Sequence, residues 1–149
     1  MTVAVDVMAE GVRLPIARAR VAAIASHVLR AEGARNALIS VAFVSDRAIA
    51  ALNRRHLGHR GATDVIAFGF ERPNGRAPII GDIYIAPGVA RENARRHGAR
   101  VRDEIARLTV HGILHVLGHD HPAGEERTRS PMWRRQERLL ARALGTSGG

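Results

Sequence analysis

The 149-residue sequence contains no cysteine and no lysine, and it has only one tryptophan, one tyrosine and three phenylalanines. Without cysteine there can be no disulfide, thiolate zinc site or iron–sulfur ligation, so any bound metal must be held by nitrogen and oxygen. The same absence fits a reducing compartment. With so few aromatics, an extended base-stacking platform is not expected to dominate any nucleic-acid contact, and such contacts should go mainly to phosphates. No apolar run approaches the roughly 18 residues of a membrane span, and the opening MTVAVDVMAEGVR alternates apolar and polar residues, unlike a secretory signal. The expectation is a cytoplasmic protein with no membrane partner. A chain of this length is expected to bury roughly two thirds of its unfolded surface around one core, and so to form one domain without staples.

Because lysine is absent, all 23 basic residues are arginine, set against 14 acidic residues for a formal charge of +9. A GC-rich coding bias accounts for arginine in place of lysine but not for the sign of the balance, since it also supplies Asp and Glu. A net excess of this size points to a polyanionic partner, nucleic acid above all.

The chain then divides by hydrophobic period. TVAVDVM (2–8) alternates as a strand, and Val21, Ile24, Ala25 and Val28 recur at helical spacing, with Pro15 placed for a first turn. ALISVAFVS (37–45) is β-rich and ends at Asp46, a cap for a short helix carrying Ile49 and Leu52. The opening therefore predicts a right-handed parallel crossover. TDVIAFGF (63–70) and IIGDIYIA (79–86) flank the turn signal PNG (73–75) and predict an antiparallel hairpin. A helix from Pro87 should stop at Gly98, and the next, from about Val101 to Leu117, is apolar nearly all round. Ser130 and Pro131 read as the cap and first turn of a final helix. The predicted class is α+β: a small mixed sheet of about four strands packed with about five helices, forming one domain over 1–145. The tail TSGG (146–149) is expected to be disordered.

HGILHVLGHDH (111–121) lies on that central helix and the loop after it. Residues four apart on a helix are about 40° apart in azimuth and about 6 Å apart along the axis, so His111 and His115 can share one ion. Gly118 can take the left-handed turn that brings His121 back to it. Three imidazoles leave a position for water, as in catalytic zinc sites, and two such rings on an otherwise apolar helix need a reason. His119 is an alternative third ligand, although the i+10 position of His121 matches the chelating spacing better. Asp120 is a candidate to orient a ligand ring. Nickel, copper and cobalt also suit three imidazoles.

The same spacing occurs in the metzincin proteases as HExxHxxGxxH, but here Gly112 stands where they carry the glutamate base. A peptidase mechanism of that kind lacks its proton acceptor. Combined with the basic charge, the substitution favours a phosphodiester over an amide, because a Lewis acid plus arginines directly stabilises a phosphorane-like transition state.

Three segments in order, LNRRHLGHRGATDVIAF (52–68), GDIYIAPGVARENA (81–94) and HGILHVLGHDH, resemble the LNxxYRxxDxPTDVLSF, LGDIVI and HGxLHLxGYDH motifs of the YbeY family of bacterial rRNA maturation endoribonucleases. The likeness runs from about residue 38 onward. It implies a single-domain α+β, single-strand-specific, metal-dependent endoribonuclease acting in 16S rRNA 3′ end maturation and ribosome quality control. It further implies one divalent ion, usually zinc, on His111, His115 and His121, with the rRNA of the small subunit and ribosome-associated proteins as partners. Leu57 stands where the family has an arginine, His56 and His119 stand in place of tyrosines, and Ala62 in place of a proline. Arg54, Arg55 or Arg60 are candidates to supply the displaced charge, and Asp64, with Thr63, matches the family's TD pair. Arg91, Arg95 and Arg96 on one helix, and Arg134, Arg135, Arg138 and Arg142 on another, could line a phosphate-binding face. Two other classes stay open on the residues: a non-catalytic ribosome assembly factor with a structural metal, and a metallohydrolase of another substrate.

Overall fold

Alternation in VAVDVMA turns Val3, Val5 and Val7 to the side of β1 (Val3–Ala9) that meets the core. The computed structural model describes residues 2–121 and 124–146. From β1 the chain crosses through α1 (Arg18–Ala31) and returns as β2 (Ala37–Phe43), parallel to β1 with Val3 opposite Ala37. After α2 (Asp46–Leu52), the strands β3 (Val65–Gly69) and β4 (Ile79–Ile85) form the expected antiparallel hairpin, and β4 lies parallel to β2. The sheet order is β1-β2-β4-β3. Then follow α3 (Pro87–His97), α4 (Val101–Val116), a 3-10 turn (Gly124–Arg129) and α5 (Pro131–Thr146). The result is the mixed four-stranded α+β fold that the periodicities predict. Helix α5 takes in Thr146, one residue past the expected domain end, and 147–149 lie outside the described residues.

Helix α4 is the centre of the packing. It meets α1, α3, α5, β3 and β4, and its Ile105, Val110, Ile113 and Leu114 are fully buried. Each such side chain contributes at most about 1.5–3 kcal/mol by area removed from water. The opposite face of the sheet carries a smaller cluster of Ala42, Val44, Ile49, Ile66 and Ala86. No helix among the described residues is long and apolar enough to cross a membrane.

Two local expectations shift. The first intrahelical bonds of α1 run from the N–H groups of Arg20 and Val21 to the Ala17 carbonyl, so Pro15 sits in a bend ahead of the helix and not in its first turn. The cap of α2 is Ser45, whose hydroxyl accepts the Ala48 N–H at 3.1 Å. Asp46 becomes the first helical residue, its carboxylate at the positive end of the helix. The final helix starts as expected, with the Trp133 N–H donating to Ser130 Oγ at 3.2 Å. Gly98 ends α3 at φ 63°.

The segment after α2 carries a feature that periodicity does not reveal. Asn53–Leu57 forms a π-helical turn closed by Gly58 at φ 69°. Asn53 is buried, and its Nδ2 donates to the Gly61 carbonyl at 3.0 Å, which folds the following loop back toward β3.

Candidate metal centre

The last turn of α4 delivers two of the three histidines. Gly118, at φ 96°, then reverses the chain, and the His119 N–H donates to the Leu114 carbonyl at 2.9 Å, closing the helix end. Asp120 accepts the backbone N–H of His121 at 2.9 Å, so its carboxylate shapes the turn. His121 thereby returns to the helix. One ligand atom from each of His111, His115 and His121 falls within 4.8 Å of the others, and the ring centroids stand 4.6, 5.1 and 5.2 Å apart. His119 does not join them. Its Nε2 is 3.0 Å from a carboxylate oxygen of Glu32, which also binds Arg135 at 2.8 Å, tying the loop and α5 to the end of α1.

The charge states suit a cation. Burial above all, then the neighbouring His111 and His121, push the His115 imidazole down to about 4, against smaller opposing effects from Asp120 and the His119 backbone. Burial also holds His111 below its ordinary value, reinforced by His121 and Arg127 and partly countered by the hydrogen bond that the ring donates to Gln136. Both rings are neutral at pH 7, with lone pairs available for a metal.

Gln136 sets which nitrogen carries that lone pair. It is 1% exposed, and its Nε2 donates to Glu137 Oε2 at 3.1 Å, so its amide oxygen faces His111 Nδ1 at 2.6 Å. That oxygen can only accept. His111 therefore carries its proton on Nδ1 and keeps the lone pair of Nε2 available for a metal, as ligand imidazoles held by an outer partner do. Glu137 is fixed in turn by two bonds from Arg107, at 3.0 and 3.2 Å, and Arg107 also reaches the buried Glu104 at 3.3 Å. Sequence reasoning passed over Gln136. Its signal was a polar residue on the apolar stripe of α5, four after Met132 and three before Leu139.

Gly112 does not face the histidines. A Cβ there would lie 2.8 Å from Cγ2 of Ile83, and one at Gly81 would lie 2.5 Å from Val116 Cγ1. The helix approaches β4 too closely for side chains at these positions. The position held by glutamate in the proteases is here part of the helix–sheet packing.

His111 opens into a cleft of about 510 Å³ whose walls include Asp64, Asn93, Arg96, Arg127 and Trp133. Asp64 Oδ2 accepts from Asn93 Nδ2 at 3.1 Å, and Asn93 Oδ1 accepts from Arg96 at 2.7 Å. Thr63 lies 3.5 Å from the other oxygen of Asp64. Arg54 and Arg55 are exposed on the π-helical turn and are not among the residues lining this cleft. Beside them His56 packs edge-on against Phe68, centroids 5.3 Å apart, and Leu57 is 48% exposed. Of the other arginines singled out, Arg95 pairs with Glu92 on the surface, Arg135 is taken up by Glu32, and only Arg96 reaches the cleft. A larger hollow of about 740 Å³, between Leu14–Ala17 and Arg100–Asp103, contains none of the three histidines.

Comparison with known proteins places this geometry. Residues 9–144 match the family model described as Endoribonuclease YbeY. Proteins of that name from Anaeromyxobacter sp. (strain Fw109-5) and Anaeromyxobacter dehalogenans (strain 2CP-C) are 40% and 39% identical over 83% and 87% of this chain, which spans 63% and 65% of their lengths. A third, from Pelotomaculum thermopropionicum, is 39% identical over 79% of the chain and 80% of its own length. The solution structure of TM1509 from Thermotoga maritima shares the fold, with a TM-score of 0.64 at 23% identity over 96% of this chain and 91% of that one. With its histidine cluster, its mixed sheet and this match across nearly all of its length, the chain belongs to the YbeY family.

Proposed function

We propose that this protein is a metal-dependent endoribonuclease that hydrolyses phosphodiester bonds of single-stranded RNA, and that it works in the cytoplasm on small-subunit rRNA, in 3′ end maturation and ribosome quality control. Ribosome-associated proteins are its expected partners. The observation that carries this reading is the three-histidine cluster whose His111 opens into a cleft bearing Arg96 and Arg127, in a chain of net charge +9. Zinc is the proposed ion, since it accepts a purely imidazole protein shell. When bound, it supplies Lewis acidity toward a phosphoryl oxygen.

The chain's own groups do the rest. Gln136 holds His111 in the ligand tautomer. Arg96 and Arg127 bind the RNA backbone from the cleft wall, and Arg54 and Arg55 contact phosphates outside it. Asp64 is the carboxylate assigned to proton transfer, taking a proton from the attacking water on Oδ1, the oxygen that faces Thr63 and not Asn93. Half-buried rings and a three-donor set leave one face of the cluster open, which argues against a closed structural site.

The test pairs elemental analysis with RNA cleavage on one preparation, with and without chelator. Bound zinc and chelator-sensitive cleavage are expected, and cleavage that survives complete metal removal would overturn the proposal. Asp64→Asn should lower kcat about 10²–10⁴-fold with metal content unchanged. An Asp64→Asn enzyme with wild-type kcat would remove Asp64 from the mechanism.

A further inference from the structure

Trp133 is the only tryptophan in the chain, and the core does not use it. It belongs to neither apolar cluster among the described residues. The buried stripe of α5 runs through Met132, Gln136, Leu139, Leu140 and Ala143, which leaves Trp133 one position off the stripe, half-buried in the wall of the cleft. The guanidinium carbon of Arg127 stands over its ring, 5.7 Å from the centroid. An indole kept out of the core costs the hydrophobic stabilisation that it would otherwise bring, so its place in a polar cleft calls for a ligand with an apolar face.

The surroundings restrict that ligand. The cleft joins His111 at one side and is lined by three arginines, of which Arg107 is held by Glu137 and Glu104 while Arg96 and Arg127 make no ion pair with a carboxylate among the described residues, so a phosphate suits the site. Its volume of about 510 Å³ is that of a small-ligand pocket and leaves no room for a paired duplex. An indole beside a guanidinium is a stacking platform for a planar base, and a base inside a duplex has both faces covered already.

We propose that this cleft is a nucleotide subsite in which Trp133 stacks on one unpaired RNA base next to the phosphodiester presented to the histidine cluster, while Arg96 and Arg127 hold the adjoining phosphates. The inference rests on the endoribonuclease reading and supplies a physical origin for single-strand selectivity. The scarcity of aromatics is consistent with it, because a single base needs a single ring.

The lone tryptophan makes the test direct. Metal-loaded protein is titrated with a short, unstructured oligoribonucleotide carrying a fluorescent end label, and both label anisotropy and tryptophan emission are followed before the first turnover. Binding should quench Trp133, whereas the same sequence annealed into a duplex should leave its emission unchanged. Trp133→Ala should weaken single-strand binding about 5- to 150-fold, and Trp133→Phe should retain most of the affinity. Both variants should keep the zinc content of the wild type. RNA that binds without quenching, duplex that quenches equally, or Trp133→Ala protein that binds as tightly as wild type would each overturn the subsite. Cleavage by the same wild-type preparation is scored separately, so loss of the subsite leaves the nuclease reading standing, and absence of cleavage counts against the nuclease itself.

Discussion

The last two turns of α4 carry two neighbouring faces with opposite demands. His111 looks into the cleft and His115 stands beside it in the histidine cluster, where ring nitrogens and their protonation matter and both side chains are only half-buried. Gly112, one residue on, looks at Ile83, where no group fits at all. On one face chemistry decides which residue is acceptable; on the other, volume alone does. The protease-like spacing of the sequence is therefore shared only on the cleft face.

Gly112→Glu is the most severe way to break this contrast. It restores the letters of HExxH, yet the carboxylate would be driven into the Ile83 contact, and a destabilisation above about 4 kcal/mol is expected from overpacking and burial of a charge. Thermal or denaturant unfolding measures it. A folded Gly112→Glu protein with peptidase activity would show that the position faces the cluster after all. Next comes the cleft face itself: His111→Ala with His115→Ala should abolish zinc binding and RNA cleavage together while the far-ultraviolet circular dichroism of the fold persists. Tight stoichiometric zinc in that double variant would exclude the assigned ligands.

Gln136→Leu sharpens the comparison, because it changes the imidazole tautomer while filling similar space. A loss of about 10- to 100-fold in zinc affinity is expected, read by competition with a chelator of known strength. An unchanged affinity would mean that the 2.6 Å contact with His111 has no part in binding the metal. Gly112→Ala probes the packed face more gently and should cost about 1–3 kcal/mol of stability without altering zinc stoichiometry. The smallest effect is expected at Arg54→Ala, outside the cleft. It should weaken RNA binding almost independently of sequence and lower the salt dependence by about one unit of slope, so a loss of kcat with no change in salt slope would place Arg54 in the reaction.

Much of the fold was legible because its signals are local. The period-2 alternation of β1, the PNG between β3 and β4 and the glycine after α3 each act through backbone geometry within a few residues. Errors arose where two local solutions compete. Ser45 and Asp46 are both good caps, and the chain uses the first. Pro15 suits a first helical turn, but the helix starts at Arg18. The π-helical turn at Asn53–Leu57 depends on the buried Asn53 reaching Gly61, a contact that no periodicity announces.

The sequence by itself determined the strand and helix order, the basic charge, the exclusion of thiolate chemistry and the three histidines, since HxxxH with a glycine and a third histidine is chelating geometry along a single helix and its turn. Only the tertiary structure decided which nitrogen of His111 carries the proton and which keeps its lone pair, because Gln136 arrives from a helix 25 residues away. It alone placed Asp64 and Trp133 on one cleft and left Arg54 and Arg55 outside its lining. It also turned Gly112 from a missing base into a packing contact. These are questions of direction between elements packed side by side, and direction follows from how α3, α4 and α5 dock on the sheet.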